Sequence, residues 1–374
     1  MESTSCEETF VGLDVHRKSV VATAVDGVGQ RLSQVKLSSS TDELVKYLRT
    51  LPGRKHVALE AGSTWGTVFD AATSVGASVV LSNPLRTRLI AEASLKTDHV
   101  DSAALATLLR VNALPTAYAP PPEVRALRTA VTERVYYKRR ASAVRNRTYA
   151  ALLRRGIEYE DGVMRLRGKR EEFRALHIPE VDRGLDVMRY LEDTCTALDK
   201  EIHEAWENSP EAQLLSSIPG VGELIAIALV AFICPIERFS TADKLSSYVG
   251  LCPSTHQSGE SLRYGAVKRD SNGTLRWLLM EACWTHCQKV PRGAVAKIAR
   301  RVGRRRGKLQ GTVAGAHKLL KIIHAMLKQK EPFRAQAPGP STSTRPMRRP
   351  RTTARFCGRR AAPELPTADS PSAP

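Results

Sequence analysis

Phe10-Val11-Gly12-Leu13-Asp14-Val15 is a short apolar run that closes on an acid. A run of this length and composition reads as a buried strand. Two more strand patterns follow at Val20 to Val25 and Arg31 to Leu37, with Gly27 to Gly29 making the turn between them. Ser40-Thr41-Asp42 then caps a helix that reaches about Leu51 and stops at Pro52-Gly53. His56 to Glu60 reads as a fourth strand, Thr64 to Val75 as a helix and Ala77 to Ser82 as a fifth strand. The order is β-β-β-α-β-α-β, hairpin strands first and αβ units after them.

That order is the pattern of an α/β, ribonuclease H-like fold. In such a sheet the first and fourth strands are neighbours, and the helix after the last strand packs over their ends. Asp14 closes the first strand and Glu60 the fourth. Asp98 and Asp101 stand three apart at the start of a helix expected from about His99 to Val111, so they share one face. The four acids can therefore converge. Convergent carboxylates repel, and burying them together is costly unless cations neutralise them. Two Mg²⁺ ions roughly 3.5–4 Å apart would do so, and would clamp the attacking and leaving oxygens of a phosphodiester. The spacing by itself is met equally well by ordinary caps and surface charges, above all at Asp98 after Thr97.

The chain has 374 residues, enough for two domains with separate cores. Its 57 Lys and Arg against 38 Asp and Glu leave a net charge of +19, which favours a polyanion as partner. A charge kept for solubility, or a single basic tail, is the plain alternative. The seven cysteines are scattered, and only Cys283 and Cys287 stand one helical turn apart. Neither a disulfide framework nor a CxxC zinc pair is present, and His286 beside Cys287 reads as chance. This usage suits a reducing, cytoplasmic setting. Met1 to Glu8 is polar and acidic, unlike a leader, and no apolar run of about 18 residues predicts a membrane span.

Asn83-Pro84 breaks the chain before a short helical stretch, Leu85 to Ala93, and Pro115 to Pro122 is a proline-rich connector. From about Glu123 to Asn208 the composition is helical and rich in Arg, with an apolar stripe through Leu127, Val131 and Val135 that predicts long helices or a coiled coil. Ser217-Ile218-Pro219-Gly220-Val221-Gly222 followed by an apolar helix, Leu224 to Phe232, carries the mark of a helix-hairpin-helix. There Gly220 and Gly222 would let backbone N–H groups reach a DNA phosphate. A tight turn between packed helices is the other reading. Gln257-Ser258-Gly259-Glu260 precedes a basic stretch with Arg263, Lys268, Arg269 and Arg276. On composition alone Ser258 is a loop serine, with no His–Asp pair nearby to act as its base. Trp65, Trp206, Trp277 and Trp284 read as core or helix-packing residues. Ala335 to Pro374, rich in Pro, Ser, Thr, Ala and Arg, is expected to be disordered, with arginines available for non-specific phosphate contacts.

Three segments carry a family resemblance. Val11-Gly12-Leu13-Asp14-Val15-His16, Leu59-Glu60-Ala61-Gly62-Ser63-Thr64-Trp65 and Lys96-Thr97-Asp98-His99-Val100-Asp101-Ser102-Ala103 look like the signature segments of IS110-type transposases, in order and in spacing. Asn83-Pro84 fits as well. Ile218 to Gly222, Tyr248 to Pro253, Gln257-Ser258-Gly259 and Asn272 to Leu278 resemble the family's second region. The chain departs from it at Arg269-Asp270-Ser271-Asn272, where the family often has Lys-x-Gly-Asn, which puts the local turn in doubt.

The resemblance, over roughly residues 10 to 330, implies a RuvC-like domain whose Asp14, Glu60, Asp98 and Asp101 hold Mg²⁺ or Mn²⁺, and a nucleophilic Ser258. It implies a transposase that breaks and rejoins double-stranded DNA at element ends and target. It also implies an element-encoded guide RNA, a dimer or tetramer with composite sites, and a place at the nucleoid. The corresponding division is a RuvC-like domain at 8–122, a helical or coiled-coil linker at 123–208, a mainly α-helical C-terminal domain at 209–330 and a tail at 331–374. Three rival readings remain. One is a RuvC-like junction resolvase or nuclease using the carboxylates alone. Another is a non-catalytic helix-hairpin-helix DNA-binding protein. The last is an actin-like ATPase, for which no second acidic Asp-x-Gly-Gly loop is found.

Overall fold

Strand β1 (Glu8–Val15) is buried through Val11, Gly12 and Leu13, and its two faces meet different helices. It pairs antiparallel with β2 (Ser19–Val25), which pairs antiparallel with β3 (Arg31–Ser38). Helix α1 (Thr41–Thr50) leads to β4 (Arg54–Glu60), parallel to β1; α2 (Trp65–Ser74) leads to β5 (Ser78–Ser82), parallel to β4. The computed structural model describes residues 7–90, 98–160, 162–258, 261–267 and 271–334. Expectations placed on Lys96, Thr97, Gly259, Glu260, Lys268, Arg269, the end of the Leu85–Ala93 helix and the tail lie outside the described residues.

The short α3 (Pro84–Ile90) precedes α4 (Asp98–Arg110). The expected proline-rich connector holds a two-residue strand, β6 (Thr116–Ala117), antiparallel to β5. The sheet order is therefore β3-β2-β1-β4-β5-β6, an arrangement consistent with a ribonuclease H-like domain. Val11, Leu13, Val57 and Leu59 pack with Leu44, Leu48, Val68 and Ala72 of α1 and α2 on one face. On the other face Ala58 packs with Leu105 of α4.

Gly12 is what lets α4 lie so close. A Cβ there would fall 2.0 Å from the Ser102 carbonyl oxygen and 2.5 Å from the Ala106 nitrogen. Hydrogen bonds fix the same seat. Thr23 Oγ1 and Ser102 Oγ are 2.8 Å apart in the buried layer between β2 and α4. Ser102 Oγ also donates to the His99 carbonyl, and Gln34 Nε2 on β3 donates to Thr23 Oγ1 and to that same carbonyl.

Helix α5 (Pro122–Leu153) and α7 (Pro179–Glu207) form a long antiparallel pair, joined through a 3₁₀ turn at Val163–Arg165 and α6 (Arg167–Arg174). Arg134 Nε and Nη2 donate to the two Asp199 oxygens at 2.7 and 2.9 Å, one of the ties between the pair. At the far end, Leu152, Met164, Val181, Leu185 and Met188 enclose a small apolar cluster. Arg170 is buried beside it, with Nε donating to the Met164 carbonyl at 2.7 Å and both terminal nitrogens donating to Glu192 at 2.8 Å.

The expected stripe of α5 faces elsewhere: Leu127, Val131 and Val135 pack into the large C-terminal cluster. That cluster is built by α8 (Pro210–Ser216), α9 (Glu223–Ile233), α10 (Ala242–Val249), α11 (Gly273–Lys289) and α13 (Lys308–Gln329), with Val295 from α12 (Ala294–Arg306). Between α10 and α11, β7 (Pro253–Ser258) and β8 (Ser261–Val267) form a two-stranded ribbon described by its backbone. No helix among the described residues is long and apolar enough to cross a membrane.

Two stability predictions follow from these contacts. Gly12→Ala forces α4 off its seat and is expected to lower the unfolding free energy by about 3 kcal/mol, the upper range for overpacking; an unchanged urea midpoint would show that the helix yields freely. Glu192→Gln leaves Arg170 buried without its charge partner, at a cost of roughly 3 kcal/mol near neutral pH. The Arg170 hydrogen bonds hold the Glu192 carboxyl below its ordinary 4.5. The pair's stabilisation is therefore complete above that value and lost as pH falls through the lowered one. Urea midpoints of parent and variant should converge on acidification, and a gap independent of pH would contradict the assignment.

Candidate metal centre

The acids are positioned by the register of two strands and the first turn of one helix. Leu13 of β1 pairs with Leu59 of β4, so Asp14, next to last in β1, and Glu60, last in β4, stand level on adjacent parallel strands. Partners in a parallel pair share a face, and that face is the one that carries Gly12 and Ala58 beneath α4. Asp98 and Asp101 lie in the first turn of α4, where a helix tolerates negative charge best.

Asp14 is largely buried, its side chain 15% exposed, while Asp98 is half exposed. His16, just past the end of β1, bridges them: Nε2 is 3.0 Å from Asp14 Oδ2 and 3.2 Å from Asp98 Oδ1. Burial raises the Asp14 carboxyl above its ordinary value, and the charges of Asp98 and Asp101 add to this, against the opposing pull of His16. Burial alone would lower the His16 imidazole, but the charges and hydrogen bonds of Asp14 and Asp98 outweigh it and hold it above its ordinary value.

One donor atom each from Asp14, His16 and Asp98 lies within 4.8 Å of the others, a set that fits a divalent cation. The carboxylate oxygens suit Mg²⁺, and the imidazole nitrogen adds a donor more typical of Mn²⁺ and other transition metals. His16 was missed by the sequence reading as a ligand. Its signal was its place two residues beyond a strand-terminal acid, where the chain turns back through the His16 N–H to Ser19 carbonyl bond.

Ser258 ends β7, in register with Ser261 of β8, and Arg263 pairs with His256 along the same ribbon. Arg276 lies on α11, where it donates through Nη1 to Ser271 Oγ at 2.8 Å. Ser271, the departure from the family's glycine, thus anchors that arginine. Asn272 caps α11 by accepting from the Leu275 N–H at 2.9 Å. Gly220 lies in the left-handed region at φ +100°, and a Cβ there would meet the His286 nitrogen at 2.8 Å. The turn is packed against α11, where His286 is buried with Nδ1 2.8 Å from the Pro219 carbonyl, a packing role and not a metal one. Gly222 is exposed at the N-cap of α9.

Residues 11–155 match the DEDD transposase model of the IS110 type, and residues 212–298 match the model of the transposase IS116/IS110/IS902 family. The chain belongs to the IS110 family of transposases. The two matches between them span more than half of it and enclose all four acids and Ser258. Among relatives, a pilin gene-inverting protein of Moraxella lacunata is 33% identical over 155 residues, 40% of this chain and 48% of that protein. The transposase for insertion sequence element IS1111A of Coxiella burnetii is 27% identical over 217 residues, 54% of this chain and 59% of that one. A putative transposase, y4qE, of Sinorhizobium fredii is 24% identical over 288 residues, 75% and 72% of the two chains. The chain spans about half the length of the pilin gene-inverting proteins it matches.

The geometry predicts that Mn²⁺ raises the melting temperature, by an amount equivalent to about 2.7 kcal/mol at a hundredfold excess over Kd. Asp14→Asn and Asp98→Asn should each remove that shift, while His16→Ala should weaken Mn²⁺ more than Mg²⁺. An unaltered Mn²⁺ response in both aspartate variants would place the cation elsewhere.

Proposed function

We propose that this IS110-family chain excises and integrates its element by metal-dependent cleavage and rejoining of DNA through a phosphoserine. The observation that carries the proposal is the gathering of Asp14 and Asp98 beside His16, with Asp101 acting on Asp14 through its charge and Glu60 level with Asp14, inside the family match. We keep the division into a RuvC-like domain at 8–122, a helical linker at 123–208 and a C-terminal transposase domain at 209–330.

In this reading Asp14, Glu60, Asp98 and Asp101 hold Mg²⁺ or Mn²⁺. When bound, such ions neutralise charge that builds on a phosphodiester under attack. Ser258 Oγ loses its proton and attacks the phosphorus of one strand. The P–O bond to the sugar breaks, that sugar oxygen leaves with a proton, and the strand stays on the protein as a phosphoserine ester. A DNA hydroxyl then attacks the same phosphorus, frees the serine and joins the new strand, so no bond energy from outside is required. Arg263, Lys268, Arg269 and Arg276 neutralise phosphates nearby. Gly220 and Gly222 form a helix-hairpin-helix whose backbone N–H groups contact the duplex. Sequence choice rests on base pairing by an element-encoded guide RNA, and the carboxylates of one subunit meet the serine of another in a dimer or tetramer at the nucleoid.

The acids taken alone also support a nuclease or junction resolvase of the RuvC type, because nothing in their geometry requires a serine. Covalent capture separates the two. Protein, element DNA, flanking RNA and Mg²⁺ are combined and resolved on a denaturing gel. A protein–DNA adduct lost in Ser258→Ala and in Asp98→Ala is the expected result. Cleavage that survives Ser258→Ala without an adduct would establish the hydrolytic reading. A non-catalytic DNA-binding protein would show binding that no change at Asp14 disturbs and no cleavage under any condition.

A further inference from the structure

A cleft of about 360 Å³ opens between α11, α12 and α13, at the small end of the usual size of ligand sites. Its floor is neutral and mostly apolar: Cys283, Cys287, Ala299 and Gly303. Burial pushes both thiols up, so the floor carries no charge near neutral pH. Its rim is cationic, with Arg300, Arg304 and Lys308 all exposed. Arg300 and Arg304 are one turn apart on α12, so they project from the same face. That helix carries Lys297, Arg300, Arg301, Arg304, Arg305 and Arg306 and no acid.

Trp284 stands at the edge of this cleft, 53% exposed. The sequence reading placed all four tryptophans in packing roles, and for Trp284 the structure corrects it. The other three are engaged: Trp65 by Arg125, Trp206 by Ser216 and Trp277 by Arg139. An indole left in water beside three cations and an apolar floor matches a ligand with a flat apolar face and a negative charge attached to it. A paired base hides its faces within the stack, whereas an unpaired one offers them.

We infer that this cleft binds an unpaired nucleotide. Its base lies against Trp284 and the Cys283–Cys287–Ala299 floor, and its phosphates lie on Arg300, Arg304 and Lys308. The inference rests on the chain working on nucleic acid, but it uses neither the four acids nor Ser258.

The test is binding by the full-length protein in chelator, which separates it from strand cleavage. The probes are a labelled 12-nucleotide single strand, as DNA and as RNA, and a blunt duplex of equal length. Trp284→Ala is expected to weaken one or both single strands about tenfold while leaving the duplex unchanged. The single strand that loses more identifies the natural source. Trp284→Phe, which keeps an aromatic face, should restore most of the affinity but abolish quenching of indole fluorescence by the oligonucleotide. Arg304→Ala should reduce the salt dependence of single-strand binding by about one phosphate contact. Equal losses on single strand and duplex, or no loss with Trp284→Ala, would overturn the inference. So would a change in oligomer mass with oligonucleotide binding intact, which would make the cleft a seat for a second copy of the chain. Single-strand binding that behaves as expected in a protein forming no adduct would keep this site and sink the recombinase reading alone.

Discussion

Carboxylates gathered at one spot push apart, by about 4 kcal/mol for two unit charges 4 Å apart in a partly polarisable interior. The sheet half of this protein is built to withstand that push. Asp14 and Glu60 are fixed by strand register, and Asp98 and Asp101 arrive on the end of a helix that cannot back away. Gly12 removes the side chain that would hold α4 off β1. The Thr23–Ser102 contact and the two bonds from Gln34 then tie the helix start to β2 and β3. His16 Nε2 bridges Asp14 and Asp98. Without the seat at Gly12, Asp98 and Asp101 lose what holds their helix against β1, while Asp14 and Glu60 stay level by strand register.

Much of this half was legible in the sequence. Apolar runs marked β1, β2, β4 and β5, and alternation marked the more exposed β3, each to within two residues. The acids stood out by contrast, as charges at the ends of such runs. β6 was illegible: two residues between prolines carry no period, and only the free edge of β5 makes them a strand. His16 was quoted in a motif but not read as a donor, since its role depends on α4 folding over the strand end. Trp284 was misread because residue type speaks for burial on average and cannot report which face of a helix its neighbours leave open. The role given to Ser258 came from resemblance alone, since a serine followed by glycine has no local signature.

The stripe on α5 shows how a correct local reading can leave the partner open. Leu127, Val131 and Val135 form a helical stripe as expected, but they fill the core of the C-terminal helices. Periodicity announces that a face will be buried and is silent about against what. The outer part of the same helix has its own small core, secured by Arg170 and Glu192.

Near its start α5 also holds two arginines one turn apart with opposite allegiances. Arg125 pairs with Asp70 and lies over the Trp65 ring at 5.0 Å, both on α2 of the sheet half. Arg128 Nε donates to the Ala231 carbonyl at 2.8 Å, at the end of α9 in the helical half. A helix of 32 residues is about 48 Å long, and its first half is seated turn after turn, through Val131, Val135 and the Arg139–Trp277 contact. The turn with Arg125 and Arg128 is therefore a splice between α2 of the sheet half and the end of α9, and a change of side chain there touches both at once.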